Sequence, residues 1–199
     1  MRLVLITLFL SIAVLQAREE TLVTGGKSPD KRFRVVLIQP HDEDAAPVAS
    51  FRYVPTGKII GEHFVGSYAN YQGARDPINT EVAWSPGSRY AAIKERSTKR
   101  STDVTIFSVS QAGIREIKTE DYFQRILHLL GASEVERYSF EKPVRWTSPT
   151  DVVIDVTGDC FIGSRDAANY RSFHYRVTLD ASTGKTKTIK RIALKNETG

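Results

Sequence analysis

The stretch Thr80-Glu81-Val82-Ala83-Trp84-Ser85-Pro86-Gly87-Ser88-Arg89-Tyr90-Ala91-Ala92-Ile93-Lys94 decides the fold. Its ends are short apolar runs with β-branched and aromatic residues. Between them sits a Ser-Pro-Gly-Ser turn, in which proline fixes one φ angle and breaks any helix. The pattern continues outward. A polar turn at Ser97 to Thr102 precedes Asp103-Val104-Thr105-Ile106-Phe107-Ser108-Val109, and Gln111-Ala112-Gly113 turns into Ile114-Arg115-Glu116-Ile117. Residues 79–118 therefore read as a four-stranded antiparallel meander.

Two more units have the same layout. In the first, Thr21-Leu22-Val23-Thr24 leads to the turn Ser28-Pro29-Asp30-Lys31. The strands Phe33–Ile38 and Val48–Val54 follow, then the hairpin Pro55-Thr56-Gly57-Lys58 and a return strand from Ile59 to Val65. In the third, Val144-Arg145-Trp146 leads to Thr147-Ser148-Pro149-Thr150, then Val152–Val156, a loop from Gly158 to Asn169, Phe173–Leu179, Ser182-Thr183-Gly184-Lys185 and Thr186–Leu194. The Ser-Pro turns begin at Ser28, Ser85 and Ser148, 57 and 63 residues apart. Two are led by tryptophan, Trp84 and Trp146, and two of the late hairpins are Thr-Gly-Lys. Recurrence of a whole supersecondary unit marks a repeat architecture.

The segment Trp84-Ser85-Pro86-Gly87-Ser88-Arg89-Tyr90 resembles the Trp-Ser-Pro-Asp-Gly-Arg-Tyr blade signature of WD-like β-propellers, in particular periplasmic ones of the Tol-associated type. Ser28-Pro29-Asp30-Lys31-Arg32-Phe33 is similar to it, and Trp146 to Val153 more loosely so. The resemblance implies blade geometry and no ligand. Three units are fewer than the roughly four to eight blades that close a propeller. The expected fold is all-β, of antiparallel meanders with one short helix: an open, propeller-like array of three four-stranded units, with a two-sheet β-sandwich as the alternative. The units span about 20–66, 79–118 and 143–194, in one domain covering 18–199.

The helix is expected over about 120–130. Thr119 is placed as its N-cap, Glu120 and Asp121 at the positive end of its dipole, Phe123, Ile126, Leu127 and Leu130 on one apolar face, and Gly131 as the stop. At the N-terminus, Met1-Arg2, the apolar run Leu3–Leu15 and Leu15-Gln16-Ala17 have the three parts of a secretory signal, which predicts cleavage after Ala17 and a periplasmic or extracellular protein. No later stretch is apolar enough to span a membrane.

The 199 residues carry a formal net charge of +5. That excess is scattered, which argues against a nucleic-acid surface. The single cysteine, Cys160, reads as a buried, inert thiol placed after a strand. His41-Asp42-Glu43-Asp44 reads as an exposed loop, since the calcium-loop spacing is absent, and His41, His63, His128 and His174 have no metal-ligand spacing. Lys94, Arg96, Lys99 and Arg100 read as a solvated hairpin tip. No nucleophile elbow, phosphate loop or zinc-protease motif occurs, so no catalytic residue, cofactor or metal is assigned.

The loop aromatics and amides Tyr68, Asn70, Tyr71, Asn169 and Tyr170 are the candidate contact residues, because loops carry binding groups on a rigid scaffold. The function expected is a non-enzymatic binding or scaffold module for a protein or envelope polymer, with oligomerisation through open sheet edges a further expectation. The alternative is a small secreted hydrolase using Asp155 or Asp159 with His174.

Overall fold

The computed structural model describes residues 20–39, 47–65, 80–98, 101–132, 135–164 and 169–193. Twelve strands and one helix follow in order. The first meander is β1 (Glu20–Lys27), β2 (Phe33–Ile38), β3 (Val48–Tyr53) and β4 (Lys58–Phe64). The second is β5 (Glu81–Trp84), β6 (Tyr90–Thr98), β7 (Ser101–Ser110) and β8 (Gly113–Glu116). After α1 (Tyr122–Leu130), the third is β9 (Val135–Trp146), β10 (Asp151–Phe161), β11 (Tyr170–Asp180) and β12 (Lys185–Arg191). Every pairing within a meander is antiparallel. The fold is all-β: three meanders, face to face, in an open, propeller-like array and not a two-sheet sandwich.

The meanders meet through narrow parallel contacts. β1 joins β5 at one pair, Thr24↔Glu81. β7 joins β9 at two, Ser101↔Ser139 and Thr102↔Phe140. Gly25 makes the first approach possible. Its φ is +71°, and a Cβ there would lie 2.1 Å from the Val82 carbonyl oxygen.

Packing does most of the joining. One core lies between the first and second meanders and includes Phe33, Val35, Phe51, Trp84, Ile93 and Phe107. The other lies between the second and third and includes Ala92, Ile106, Ile154, Val156, Val177 and Leu179, with Ile126 and Leu127 of α1. Strand alternation explains the division: Ala91 and Ile93 serve the first core, and Ala92, between them, serves the second.

Two of the Ser-Pro turns share the same hydrogen bonds. Phe33 N–H donates to Ser28 Oγ at 3.0 Å, and Tyr90 N–H to Ser85 Oγ at 3.1 Å. Ser28 N–H donates to Phe33 O and Ser85 N–H to Tyr90 O. Lys31 and Ser88, at the same place in each turn, both have positive φ, 60° and 55°. The third turn is one residue tighter: Thr147 N–H donates to Asp151 O, while Ser148 Oγ accepts from Thr150 and Asp151 N–H. Each tryptophan reaches back one unit. Trp84 stacks on Phe33 at 6.2 Å and Trp146 on Tyr90 at 6.2 Å, and Trp146 Nε1 donates to Ala83 O at 3.0 Å.

Three local readings differ from expectation. The helix is capped by Asp121, not Thr119: the Asp121 carboxylate accepts from Gln124 N–H, and Gly131 closes the other end at φ 69°. Glu120 instead accepts from Thr186 N–H of β12. The lead strand of the third meander starts at Val135 and runs through Pro143, because the proline sits beside a register shift between Val153 and Ile154 where the missing N–H costs no ladder bond. Gly158 to Phe161 continue β10 in unbroken pairing with β11, so Cys160 lies within a strand, fully buried. Burial pushes its thiol pKa up, and Asp159 adds to that.

The outermost strand β12 carries Lys185, Lys187, Lys190 and Arg191, a charge density that discourages pairing with another edge. A Trp84→Ala protein is expected to lose about 3–5 kcal/mol in urea unfolding, as buried tryptophans do. Trp146→Ala, with a half-buried ring, is expected to lose less. Wild-type midpoints for both would overturn the equivalence of the two seams.

Candidate functional site

Residues of β10 with odd numbers face away from the core, and regular pairing with β11 fixes their partners. Asp151 lies opposite Asp180, Val153 opposite Thr178, Asp155 opposite Arg176, Thr157 opposite His174, Asp159 opposite Ser172, and Phe161 opposite Tyr170. β9 adds Lys142 opposite Asp155 and Phe140 opposite Thr157, and β12 adds Lys190 opposite Arg176. This is the outer face of the third meander. Among the described residues no further meander packs on it.

An ionic row crosses its middle. Arg176 grips Asp155 with two bonds, Nε to Oδ1 at 2.7 Å and an Nη to Oδ2 at 3.0 Å. His174 Nε2 stands 3.4 Å from Asp155 Oδ2. That is close enough for an ionic contact when the ring is protonated, but the nitrogen makes no hydrogen bond. Partial burial of Asp155 pushes its pKa up; the Arg176 bonds and charge outweigh this, with help from His174, and hold it below the usual carboxylate range. Asp159 accepts from Ser172 Oγ at 2.6 Å. Around the row, large apolar side chains stay accessible: Phe140 at 42 %, Val144 at 41 % and Tyr170 at 37 %. Tyr170 meets Phe161 edge-on at 5.4 Å.

The structure therefore brings together Asp155 and Asp159 of β10 with Tyr170 and His174 of β11. Asn169 stands at the end of this face and works as a clamp: its Nδ2 donates to Ser164 O at 3.2 Å and Ser164 Oγ at 2.9 Å, closing the hairpin loop. Tyr68, Asn70, Tyr71 and the His41–Asp44 run lie outside the described residues, as do Lys99 and Arg100 of the basic tip. Lys94 is taken up by Glu81. Sequence reasoning missed Phe140 and Lys142, because only the register of β9 sets them opposite Thr157 and Asp155, and Val144, which is left exposed where that register shifts.

Chemically the row offers a fixed guanidinium–carboxylate pair flanked by imidazole and hydroxyl groups. Asp155, locked by Arg176, is a poor proton donor near neutral pH. Ser172 points its hydroxyl at Asp159 and not at His174, so these groups do not form a nucleophile–base relay. Among the described residues, open cavities lie elsewhere. One, of about 470 Å³, runs between α1 and β12 and is lined by Arg125, His128 and Lys187. Another, of about 530 Å³, lies between the first two Ser-Pro turns and is lined by Arg32 and Arg89. Arg125 pairs with Glu120, Lys187 with Asp151 and Arg32 with Asp30, so internal carboxylates take up much of their charge.

No protein-family model matches this chain, and no curated protein matches it. It is similar to the solved structure of TolB from Acinetobacter baumannii, with 12 % identity and a TM-score of 0.40 over 88 % of this chain and 33 % of that one. It is also similar to a prolyl endopeptidase structure, with 10 % identity and a TM-score of 0.39 over 89 % of this chain and 29 % of that one. The chain thus spans about a third of the length of each.

Arg176→Ala is expected to raise the Asp155 pKa towards the ordinary carboxylate value, read by carbon-detected NMR titration. The pair's contribution to stability is present above that ordinary value and fades as pH falls through the depressed one. An unchanged Asp155 titration in the variant would show that the contact does not govern the carboxylate.

Proposed function

We propose that this protein is an exported, non-enzymatic binding or scaffold module that docks a protein or envelope polymer on the outer face of its third meander. One observation carries the reading. In both seams, the outward face of one meander is the surface on which the next one packs, and the outer face of the third offers that same surface, with exposed Phe140, Val144 and Tyr170 around an oriented ionic row. Accessible aromatic and aliphatic side chains grouped on one sheet face suit a protein contact, and a rigid tyrosine contributes much contact area. The Asp155–Arg176 pair supplies charge at fixed positions, which sets register with a partner more than it adds affinity.

Export rests on the N-terminal sequence. Residues 1–17 have the pattern of a signal cleaved after Ala17, so the module is assigned to the periplasm or the extracellular space. Among the described residues, no helix is long and apolar enough to cross a membrane.

The test is capture from envelope extract with the mature protein as bait, beside a Phe140→Asp, Tyr170→Asp double variant. A partner held by the wild type and lost at least tenfold by the variant, with both proteins folded by circular dichroism, supports the reading. Equal capture by both places the contact elsewhere. A hydrolase screen on the same preparation checks the competing chemistry, since turnover abolished by His174→Ala in a folded protein would replace binding with catalysis. Intact mass of the exported protein is expected to lack residues 1–17, and recovery of the full-length chain from cytosol would overturn the assignment to the envelope.

A further inference from the structure

Glu141 is a buried carboxyl at the contact between the second and third meanders. It lies on β9 one residue past the two pairs that join β9 to β7, and it is 9 % exposed. Its backbone N–H donates to Thr102 Oγ1 at 3.1 Å, and Thr102 Oγ1 donates to its carbonyl at 2.9 Å. Its side chain reaches the other way. Oε2 accepts from Val104 N–H at 3.0 Å and from Tyr122 Oη at 2.6 Å. A single residue thus ties β9 to β7 and to the first turn of α1. Tyr122 is itself buried.

We propose that the Tyr122–Glu141 pair is a proton-operated latch, which holds α1 and β9 against the second meander while Glu141 is protonated and loosens that seam when Glu141 ionises. The surroundings set this direction. The acidic Asp103 of β7, on the opposite side of that strand from Val104, and Asp121 at the cap of α1 act on Glu141 through space, and Tyr122 is the titratable group in contact with it. On β9 itself, the Lys142 ammonium is engaged 3.5 Å from Glu81 of β5. On β10 the paired residue is Val156.

An ionised Glu141 would therefore be a charge cut off from water, with two exposed carboxylates of the same sign acting on it from farther away. Burial pushes its pKa up to about 7, against the bonds from Tyr122 and Val104. Partial desolvation likewise raises Asp103. For a carboxyl raised in the folded state, the stabilising contribution is complete below the ordinary value near 4.5 and is lost as pH climbs through about 7. The contribution at stake is on the order of a hundredfold in the local opening equilibrium.

The latch sits directly beneath the outer face. Phe140 and Lys142, which flank Glu141, pair with Thr157 and Asp155 of that face, so a loosened β9 disturbs that surface. The latch itself does not depend on what, if anything, binds there.

The test is hydrogen exchange on the full mature chain at about pH 5.5 and pH 8, corrected for intrinsic rates. Wild type is expected to lose about tenfold or more protection across α1 and residues 139–146 at the higher pH, with the first meander unaffected. Glu141→Gln, which keeps an oxygen acceptor and cannot ionise, is expected to show no such loss. Tyr122→Phe removes one donor and keeps the carboxyl, so it should retain the pH dependence. Equal pH dependence in wild type and Glu141→Gln would overturn the proposal. If Glu141→Gln does not fold, titration of the Glu141 carboxyl in the wild type by NMR decides, and a midpoint below about 5 would overturn it.

Discussion

Everything in this structure depends on burying both faces of the second meander at once. An isolated meander has one face to hide and one to give to water. Here Ala91, Ala92 and Ile93 follow one another without a polar break, and all three are inaccessible to solvent. Such a strand has no stable place at a surface. It needs a sheet on either side, and the first and third meanders supply them. The tryptophans make the order directional: Trp84 reaches back over Phe33, and Trp146 over Tyr90. The same contact repeated twice sets the stacking sense of the array.

Much of this could be read from the chain because turns are local. Ser28 and Ser85 satisfy the same backbone groups within five residues, so equal sequence means equal geometry. The third turn resembles the other two only loosely, and its hydrogen bonds make it a shorter turn, in which Thr147 takes the backbone place of Ser85. The misreadings have a common source. Thr119 and Asp121 are both acceptable caps, and only the docking of Glu120 on Thr186 chooses between them. The lead strand read from Val144 extends back through Pro143, which is tolerated because the bulge beside it leaves no bond to lose. These outcomes depend on partners far away along the chain.

The candidate face was legible only in pieces. Tyr170, Asp155, Asp159 and His174 stood out singly by residue type. Their assembly follows from the pairing of Asp155 with Arg176 and of Phe161 with Tyr170, which no local pattern encodes. Glu141 gave no signal at all. In sequence it is one more acidic residue in a polar strand, and its burial arises from the joint approach of Thr102, Val104 and Tyr122. Long-range register, more than composition, turns ordinary residues into a site.

The thinness of the parallel contacts between meanders has a mechanical consequence. Within a meander, strands are held by ladders of directional bonds, which resist shear. Between meanders, one paired position and two paired positions carry the strand pairing, a few side-chain hydrogen bonds such as Trp146 to Ala83 O add to it, and most of the remaining cohesion comes from apolar packing, which has no preferred direction. Pulled along the array, such a body yields at its seams before its sheets. Each meander then behaves as a stiff leaf on a compliant spine. Small changes in the angle between leaves stretch few hydrogen bonds, while large ones expose a core. The array is soft to bending and hard to separate, and the seam held by fewest paired positions, next to Gly25, is where bending meets least resistance.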